Sequence, residues 1–185
     1  MAVTARIWPG AIAAYGGAFV VGATLVSFLL VFLLMGSYYI VRPVRDALAS
    51  DWTDAELSTL WTITFFISTL AVFLYGAAIS RIRFQRLVPS VYGVFAFSFV
   101  VFSQSTDALA ESVLLDKAFY LWVSLFSLFH ISVFWSFMAD TFSKPQATRL
   151  FGFIGAGAST GGLAGPATAS LLVGDLGTNA LLLIA

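Results

Sequence analysis

Charge-free apolar stretches recur along this chain, and short segments that carry its charges separate them. Since one membrane-spanning helix needs about 20 consecutive apolar residues, each long stretch predicts one span. A last stretch, after Asp175, has about half the required length. The pattern therefore predicts an all-α polytopic transmembrane bundle of five full spans plus a truncated sixth. The stretches are Ile7–Val41, Leu57–Ser80, Leu87–Thr106, Ala118–Ala139, Leu150–Gly174 and Leu176–Ala185.

The first stretch is longer than one span, so part of it lies outside the predicted span. Thr53 followed three residues later by Glu56 is a capping-box pattern, which predicts that the second helix begins near Asp54. The first span then ends near Ala49 and begins near Phe28, and residues 10–23 are interfacial or prolong the helix. We expect an N-terminal segment at 1–26 and the bundle at 27–185, truncated within helix six.

The charges of the loops predict the orientation. If the connections alternate, six basic residues share one side, which the positive-inside rule assigns to the cytoplasm. The N-terminus is then cytoplasmic, and we expect a multi-pass protein of the cell inner (plasma) membrane. Three aromatic residues, Trp52, Trp61 and Tyr120, fall near the outer interface, where belt aromatics are typical. The basic residues are Arg6, Arg81, Arg83, Arg86, Lys144 and Arg149.

Composition agrees with this class of protein and excludes several others. Of the 185 residues, 60% are hydrophobic and 10% are charged, far from the balance of a soluble domain. The formal net charge is zero and no block is strongly basic, so we expect the lipid bilayer as a partner and no nucleic acid. There is no cysteine, which excludes disulfides and thiol chemistry. No enzyme activity, cofactor or metal is predicted.

The candidate binding site lies behind the first apolar stretch. Arg42, Arg45 and Asp46 fall on one helix face by their spacing of three and four residues. Pro43 cannot donate to the carbonyl of Tyr39, so we expect the helix to kink or restart there, exposing free amides beside two guanidiniums. Such an arrangement suits an anion. The alternative is a juxtamembrane ion pair whose arginines extend toward the interface.

His130 lies near the middle of the fourth span, where a titratable group can relay protons or contact substrate. A relay requires a carboxylate partner at membrane depth, and the candidate is Asp46. The alternative is a hydrogen bond that packs two helices.

A small-residue face marks the fifth span. Gly157, Gly161 and Gly165 recur at four-residue spacing and Pro166 follows, which predicts close helix packing with a bend that can serve rocking motions. Packing alone is the other interpretation. Residues 157–161 also match a nucleophile-elbow pattern with Ser159 as the nucleophile. That motif needs a strand-to-helix turn, whereas Ser159 is predicted to lie within a helix.

The turn between the second and third spans carries Arg81, Arg83 and Arg86. These residues determine topology in the simplest interpretation, and a gating role for Arg81 and Arg86 is the alternative.

Three stretches together resemble the major facilitator superfamily and, within it, the ATP:ADP antiporter (nucleotide transporter) family and its bacterial relatives. The first stretch is the most specific. The resemblance covers most of the chain as an N-terminal six-helix half, and it implies a missing C-terminal half of similar size. It also implies that Arg45 matches a basic residue implicated in transport. The stretches are 38–48, 134–140 and 149–157.

Charge pattern and resemblance together lead to one functional expectation. The chain is expected to be half of a secondary transporter that moves a small anionic solute by alternating access, with nucleotide exchange as the finer expectation. Arg42 and Arg45 would hold the anion, with Asp46 and His130 as further substrate contacts. The alternative is a non-transporting membrane scaffold, or a nonfunctional fragment of a transporter.

Overall fold

The computed structural model describes the backbone of residues 9–108 and 112–184, and the side chains of 19–105, 112–174 and 181–184. It is all-helical over these residues, which confirms the predicted fold class at the level of an all-α protein. The elements are α1 (Pro9–Ala49), α2 (Asp54–Ile79), α3 (Phe84–Ala108), α4 (Val113–Thr141) and α5 (Lys144–Ile184).

Four segments within these helices are long and apolar enough to cross a membrane, which is the pattern of a multi-pass membrane protein. They are Phe19–Ala49, Asp54–Ile79, Phe84–Ser105 and Val113–Thr141. The fifth predicted span lies in α5, which is not among them because glycine, alanine, serine and threonine make up much of its length. Membrane crossing by α5 stays a prediction.

The start of α2 confirms the boundary that the capping box predicts. The Thr53 hydroxyl accepts from the Glu56 backbone N–H, and the Glu56 carboxylate accepts from the Thr53 N–H. An equivalent contact precedes α5, where Ser143 donates from its N–H to the Gln146 side chain. These caps satisfy amides that the first turn leaves unpaired. They also keep the turns between consecutive helices short.

Helix α4 is the centre of the bundle and contacts α1, α2 and α3. Phe134 is fully buried on α4, in one hydrophobic cluster with Val31 of α1 and Ile154 of α5. Phe126 of α4 packs against Phe95 and Phe99 of α3. Buried aromatic rings therefore fill the space between the helices.

Helices α1 and α5 run parallel and make the closest contact in the bundle. Gly157 lies against the Phe28 carbonyl, Gly161 against the Phe32 carbonyl, and Gly165 against that of Gly36. Because both numbers rise by four at each step, the two helices keep one register over two turns. A side chain at any of the three glycine positions would meet backbone.

The separate sixth helix of the sequence prediction is not a separate element, because α5 is continuous to Ile184. The axis of α5 is nevertheless not straight. A straight helix would place Leu181 about 18 Å beyond Ala169, yet both pack in one cluster with Ile40 of α1. The chain therefore turns back between Ala169 and Leu181. Gly174 lies in this interval, and no proline interrupts the backbone hydrogen bonds there.

The predicted boundary at residues 26/27 falls inside α1, which is continuous from Pro9. The extension at residues 10–23 thus prolongs the helix, one of the two predicted alternatives. Arg6 and the rest of residues 1–8 lie outside the described residues, as do the side chains of Asp107, Glu111 and Asp175.

Candidate functional site

The last two turns of α1 bring Arg42, Arg45 and Asp46 together. Arg45 donates from Nε and Nη2 to Asp46 Oδ1, at 2.9 and 2.6 Å. Arg42 Nε lies 3.4 Å from Asp46 Oδ2. One carboxylate is therefore shared between two guanidiniums, and the trio keeps one net positive charge.

The predicted restart of the helix at Pro43 is wrong, because α1 continues through Pro43 to Ala49. Proline removes one donor, and a helix in a bundle tolerates that loss when the remaining hydrogen bonds are kept. The free amides that a restart would expose beside the guanidiniums are therefore not formed. Any anion at this site has to be held by side chains.

The two arginines differ in exposure. The Arg45 side chain is 15% exposed, whereas those of Arg42 and Asp46 are 45% and 49% exposed. Arg45 is covered by the ring of Tyr120, whose centroid lies 5.4 Å from the guanidinium carbon. Arg42 lies 5.7 Å from the ring centroid of Tyr39. Among the described residues, the one ion pair of Arg42 is its 3.4 Å contact from Nε to Asp46.

A set of aromatic and charged contacts surrounds the Tyr120 ring and joins the ends of three helices. Trp61 Nε1 donates to the Tyr120 hydroxyl at 2.9 Å, and Trp52 packs edge-on against the same ring. Lys117 Nζ donates to Glu56 Oε1 at 2.8 Å and so ties α4 to α2. These contacts hold the Tyr120 ring where it covers Arg45.

Sequence reasoning missed Tyr120 and Lys117 as neighbours of the site. It treated Tyr120 as a belt aromatic and Glu56 as a helix cap. A signal was present in Lys117, a cation within an otherwise acidic connection, which predicts a carboxylate partner. Which carboxylate it pairs with depends on the packing of α2 against α4, and spacing along the chain does not contain that information.

His130 is nine-tenths buried in the middle of the bundle, away from the trio. Its Nδ1 lies 3.1 Å from the Phe126 carbonyl, and its ring stacks on Tyr38 at 4.7 Å. Tyr92 donates to the His130 backbone carbonyl at 2.7 Å. Nε2 has no hydrogen-bond partner within the described part of the chain.

The structure does not bring His130 to Asp46. Tyr38, which stacks on the imidazole, precedes Asp46 by eight residues on α1, or about 12 Å along the axis. The carboxylate that a proton relay would need is bound to the two arginines instead. The packing interpretation of His130 has the Tyr92 and Tyr38 contacts in its favour.

The glycine face and Pro166 lie on α5, where it packs against α1. Pro166 of α5 and Pro43 of α1 line a cavity of about 330 Å³, together with Val44, Ala169 and Leu181. No charged side chain lines this cavity among the described residues. The glycines Gly157, Gly161 and Gly165 provide backbone contact, and a role in motion stays a prediction.

Arg81 and Arg86 lie at the opposite end of the bundle from the trio. Both are exposed, as is Arg83, and none forms an ion pair with the residues that the structure describes. Gating by Arg81 and Arg86 therefore stays a prediction.

Comparison of the chain with protein-family profiles, curated proteins and solved structures yields no match. The resemblance to the major facilitator superfamily stays a prediction.

Proposed function

We propose that this chain is part of a secondary transporter for a small anionic solute, with Arg42 and Arg45 as the anion-binding residues. The observation that carries the proposal is Arg42, whose guanidinium is half-exposed and whose one ion pair among the described residues is a 3.4 Å contact from Nε to Asp46. A planar guanidinium donates two parallel hydrogen bonds to carboxylate or phosphate oxygens.

Because Arg42 and Arg45 share the Asp46 carboxylate, a solute anion can exchange with Asp46 at Arg42. An incoming anion would take the place of Asp46 on Arg42, while Arg45 keeps both of its hydrogen bonds to Asp46. The net charge near Asp46 then falls from positive to neutral for a monoanion. A site that alternates between an internal carboxylate and a solute anion remains electrically satisfied when it is empty.

The depth of the site supports transport over simple anchoring. Arg42 lies seven residues before the end of α1, or about 10 Å along the axis. A charged side chain inside a span is functional or paired far more often than it faces lipid. The predicted N-terminal half of a major facilitator, and nucleotide exchange as the finer activity, remain part of this proposal.

A membrane scaffold is the second candidate, and one observation favours it. Arg45, Tyr120 and Trp61 form a chain of contacts from α1 through α4 to α2, beside the Lys117–Glu56 pair. Residues that only fasten helix ends would show this arrangement. In that case Asp46 neutralises Arg45, and Arg42 extends toward the interface.

Substitution of arginine by lysine separates the two functions, because lysine keeps the charge and loses the two-pronged donor. Arg42→Lys should need about tenfold more phosphate or dicarboxylate than the unmodified protein for the same thermal stabilisation, which corresponds to a loss of about 1.4 kcal/mol in binding free energy. Arg149→Lys, at an exposed arginine of the first turns of α5, is the matched control. If every anion tested stabilises Arg42→Lys and the unmodified protein equally, the anion site is wrong and the scaffold remains.

A further inference from the structure

A narrow apolar cleft opens beside the basic end of the bundle. It has a volume of about 410 Å³ and lies between α1, α3 and α4. Its lining includes Leu30 of α1, Phe137 of α4, and Phe84, Gln85, Pro89 and Tyr92 of α3. From Phe84 to Tyr92 the cleft follows α3 for about 12 Å, close to the roughly 15 Å depth of one leaflet's hydrocarbon.

The mouth of this cleft lies at the turn that carries three arginines. Phe84 is the first residue of α3; Arg81 and Arg83 lie in the turn before it, and Arg86 lies in its first helical turn. Phe137 lies near the end of α4, so the turn that leads to Lys144 is at the same end. The cleft therefore begins among cations and continues into the apolar interior.

The charge of this end is strongly one-sided. Among the residues that the structure describes, it carries five basic side chains, all exposed, and one exposed carboxylate, Asp140. No ion pair joins Asp140 to a basic residue in the described part of the chain. By contrast, the Lys117–Glu56 pair and the shared Asp46 neutralise most of the cations at the other end. The basic residues are Arg81, Arg83, Arg86, Lys144 and Arg149.

We propose that this end is a binding site for an anionic phospholipid, with one acyl chain in the cleft and the phosphate of the headgroup at the Arg81–Arg86 turn. Basic clusters directly beside a membrane-spanning helix attract anionic headgroups, and pockets between helices bind them specifically. The cleft adds an apolar surface that a soluble anion cannot use. This site is at the opposite end from Arg42 and does not depend on the proposed transport function.

Two features select a phospholipid as the occupant. A soluble phosphate would satisfy the arginines and leave the cleft unused, and a neutral lipid would use the cleft and leave five cations without an anion. A lipid with an anionic headgroup matches both. Each basic residue near the surface contributes about fivefold to the affinity for such a headgroup.

The test is a lipid titration of the purified full chain in detergent, followed by native mass spectrometry. Phosphatidylglycerol, phosphatidylcholine and inorganic phosphate are compared as ligands. We expect phosphatidylglycerol to bind at least tenfold more tightly than phosphatidylcholine, and inorganic phosphate to compete weakly. Arg83→Gln and Arg86→Gln should each lower the affinity for phosphatidylglycerol about fivefold. Single substitutions leave four of the described basic residues at this end, so the insertion topology is kept.

Gln85→Trp tests the cleft, because the side chain at the mouth would fill it. It should lower phosphatidylglycerol binding at least fivefold, whereas Leu74→Trp, on the exposed face of α2, should leave binding unchanged. Gln85→Phe provides the same test with a smaller ring if the tryptophan variant does not fold. The proposal is overturned if phosphatidylglycerol and phosphatidylcholine bind equally, or if Arg83→Gln binds phosphatidylglycerol as tightly as the unmodified protein does. It is also overturned if inorganic phosphate competes as strongly as phosphatidylglycerol binds. A second copy of the chain bound at the cleft in place of lipid would also overturn the proposal.

Discussion

The close contact between α1 and α5 predicts how much stability is lost when a glycine of α5 is replaced by alanine, which adds one methyl group. An ideal Cβ added at Gly161 would overlap the Phe32 carbonyl oxygen and lie 3.0 Å from its carbonyl carbon. At Gly155, in the same helix, an added Cβ would meet nothing within 4 Å. The two positions are therefore a matched pair for glycine-to-alanine substitution.

The magnitude follows from the geometry. A carbon normally stays about 3.3 Å or more from a carbonyl oxygen, so Gly161→Ala must push the helices apart by about 1 Å. Overpacking of this kind costs roughly 1–3 kcal/mol. Both variants gain the same helix propensity, about 1 kcal/mol in favour of alanine. The propensity cancels in the comparison, so Gly161→Ala should be less stable than Gly155→Ala by about 1–3 kcal/mol.

The assay is SDS-induced unfolding of the purified chain, with helicity followed by circular dichroism. Gly161→Leu should increase the loss further, and Gly174→Leu should be milder, since a Cβ at Gly174 also meets nothing within 4 Å. If Gly161→Ala and Gly155→Ala unfold at the same SDS fraction, the backbone contact with Phe32 does not exist. The small-residue face would then have no role in packing.

Three further predictions concern orientation and the charged end. In this cysteine-free chain, single cysteines at Asp51 and Gln85 should react with an impermeant maleimide from opposite sides of the membrane; reaction from one side would contradict the predicted orientation. Asp46→Asn leaves both guanidiniums without their carboxylate, so in thermal melts phosphate should stabilise the variant at about tenfold lower concentration than it stabilises the unmodified protein. An unchanged response to phosphate would argue that Asp46 and the anion do not share a site. Lys117→Met removes a partly exposed ion pair between α4 and α2 and should leave the SDS midpoint of unfolding almost unchanged, because solvent screens the pair; a large fall in the midpoint would assign the pair a central structural role.

The sequence determined the helical class and most helix ends, because both depend on local chemistry. The Thr53–Glu56 capping box placed the start of α2 at Asp54, where the structure has it. The charged residues between the apolar stretches were enough to predict α1, α2, α3 and α4 as separate helices. Of the kink or restart that Pro43 predicts, the restart is wrong, because one lost donor does not end a helix whose neighbours keep it in place. The sequence also predicted a separate helix after Asp175, where the structure has one continuous α5 that turns back between Ala169 and Leu181.

Tertiary structure alone decided which residues meet. Sequence spacing put Arg42, Arg45 and Asp46 on one face, but the Tyr120 ring over Arg45 comes from α4, whose approach no local pattern encodes. Likewise, the glycine spacing predicted a close contact without naming its partner, which is the backbone of α1 at Phe28, Phe32 and Gly36. His130 shows the same limit, since its partners are the Tyr38 ring on α1 and the Tyr92 hydroxyl on α3, which donates to its backbone carbonyl, and not the predicted carboxylate of Asp46. Local hydrogen bonding and hydrophobicity act over a few residues of chain, whereas the packing of rings and small residues is settled among helices that are far apart in sequence.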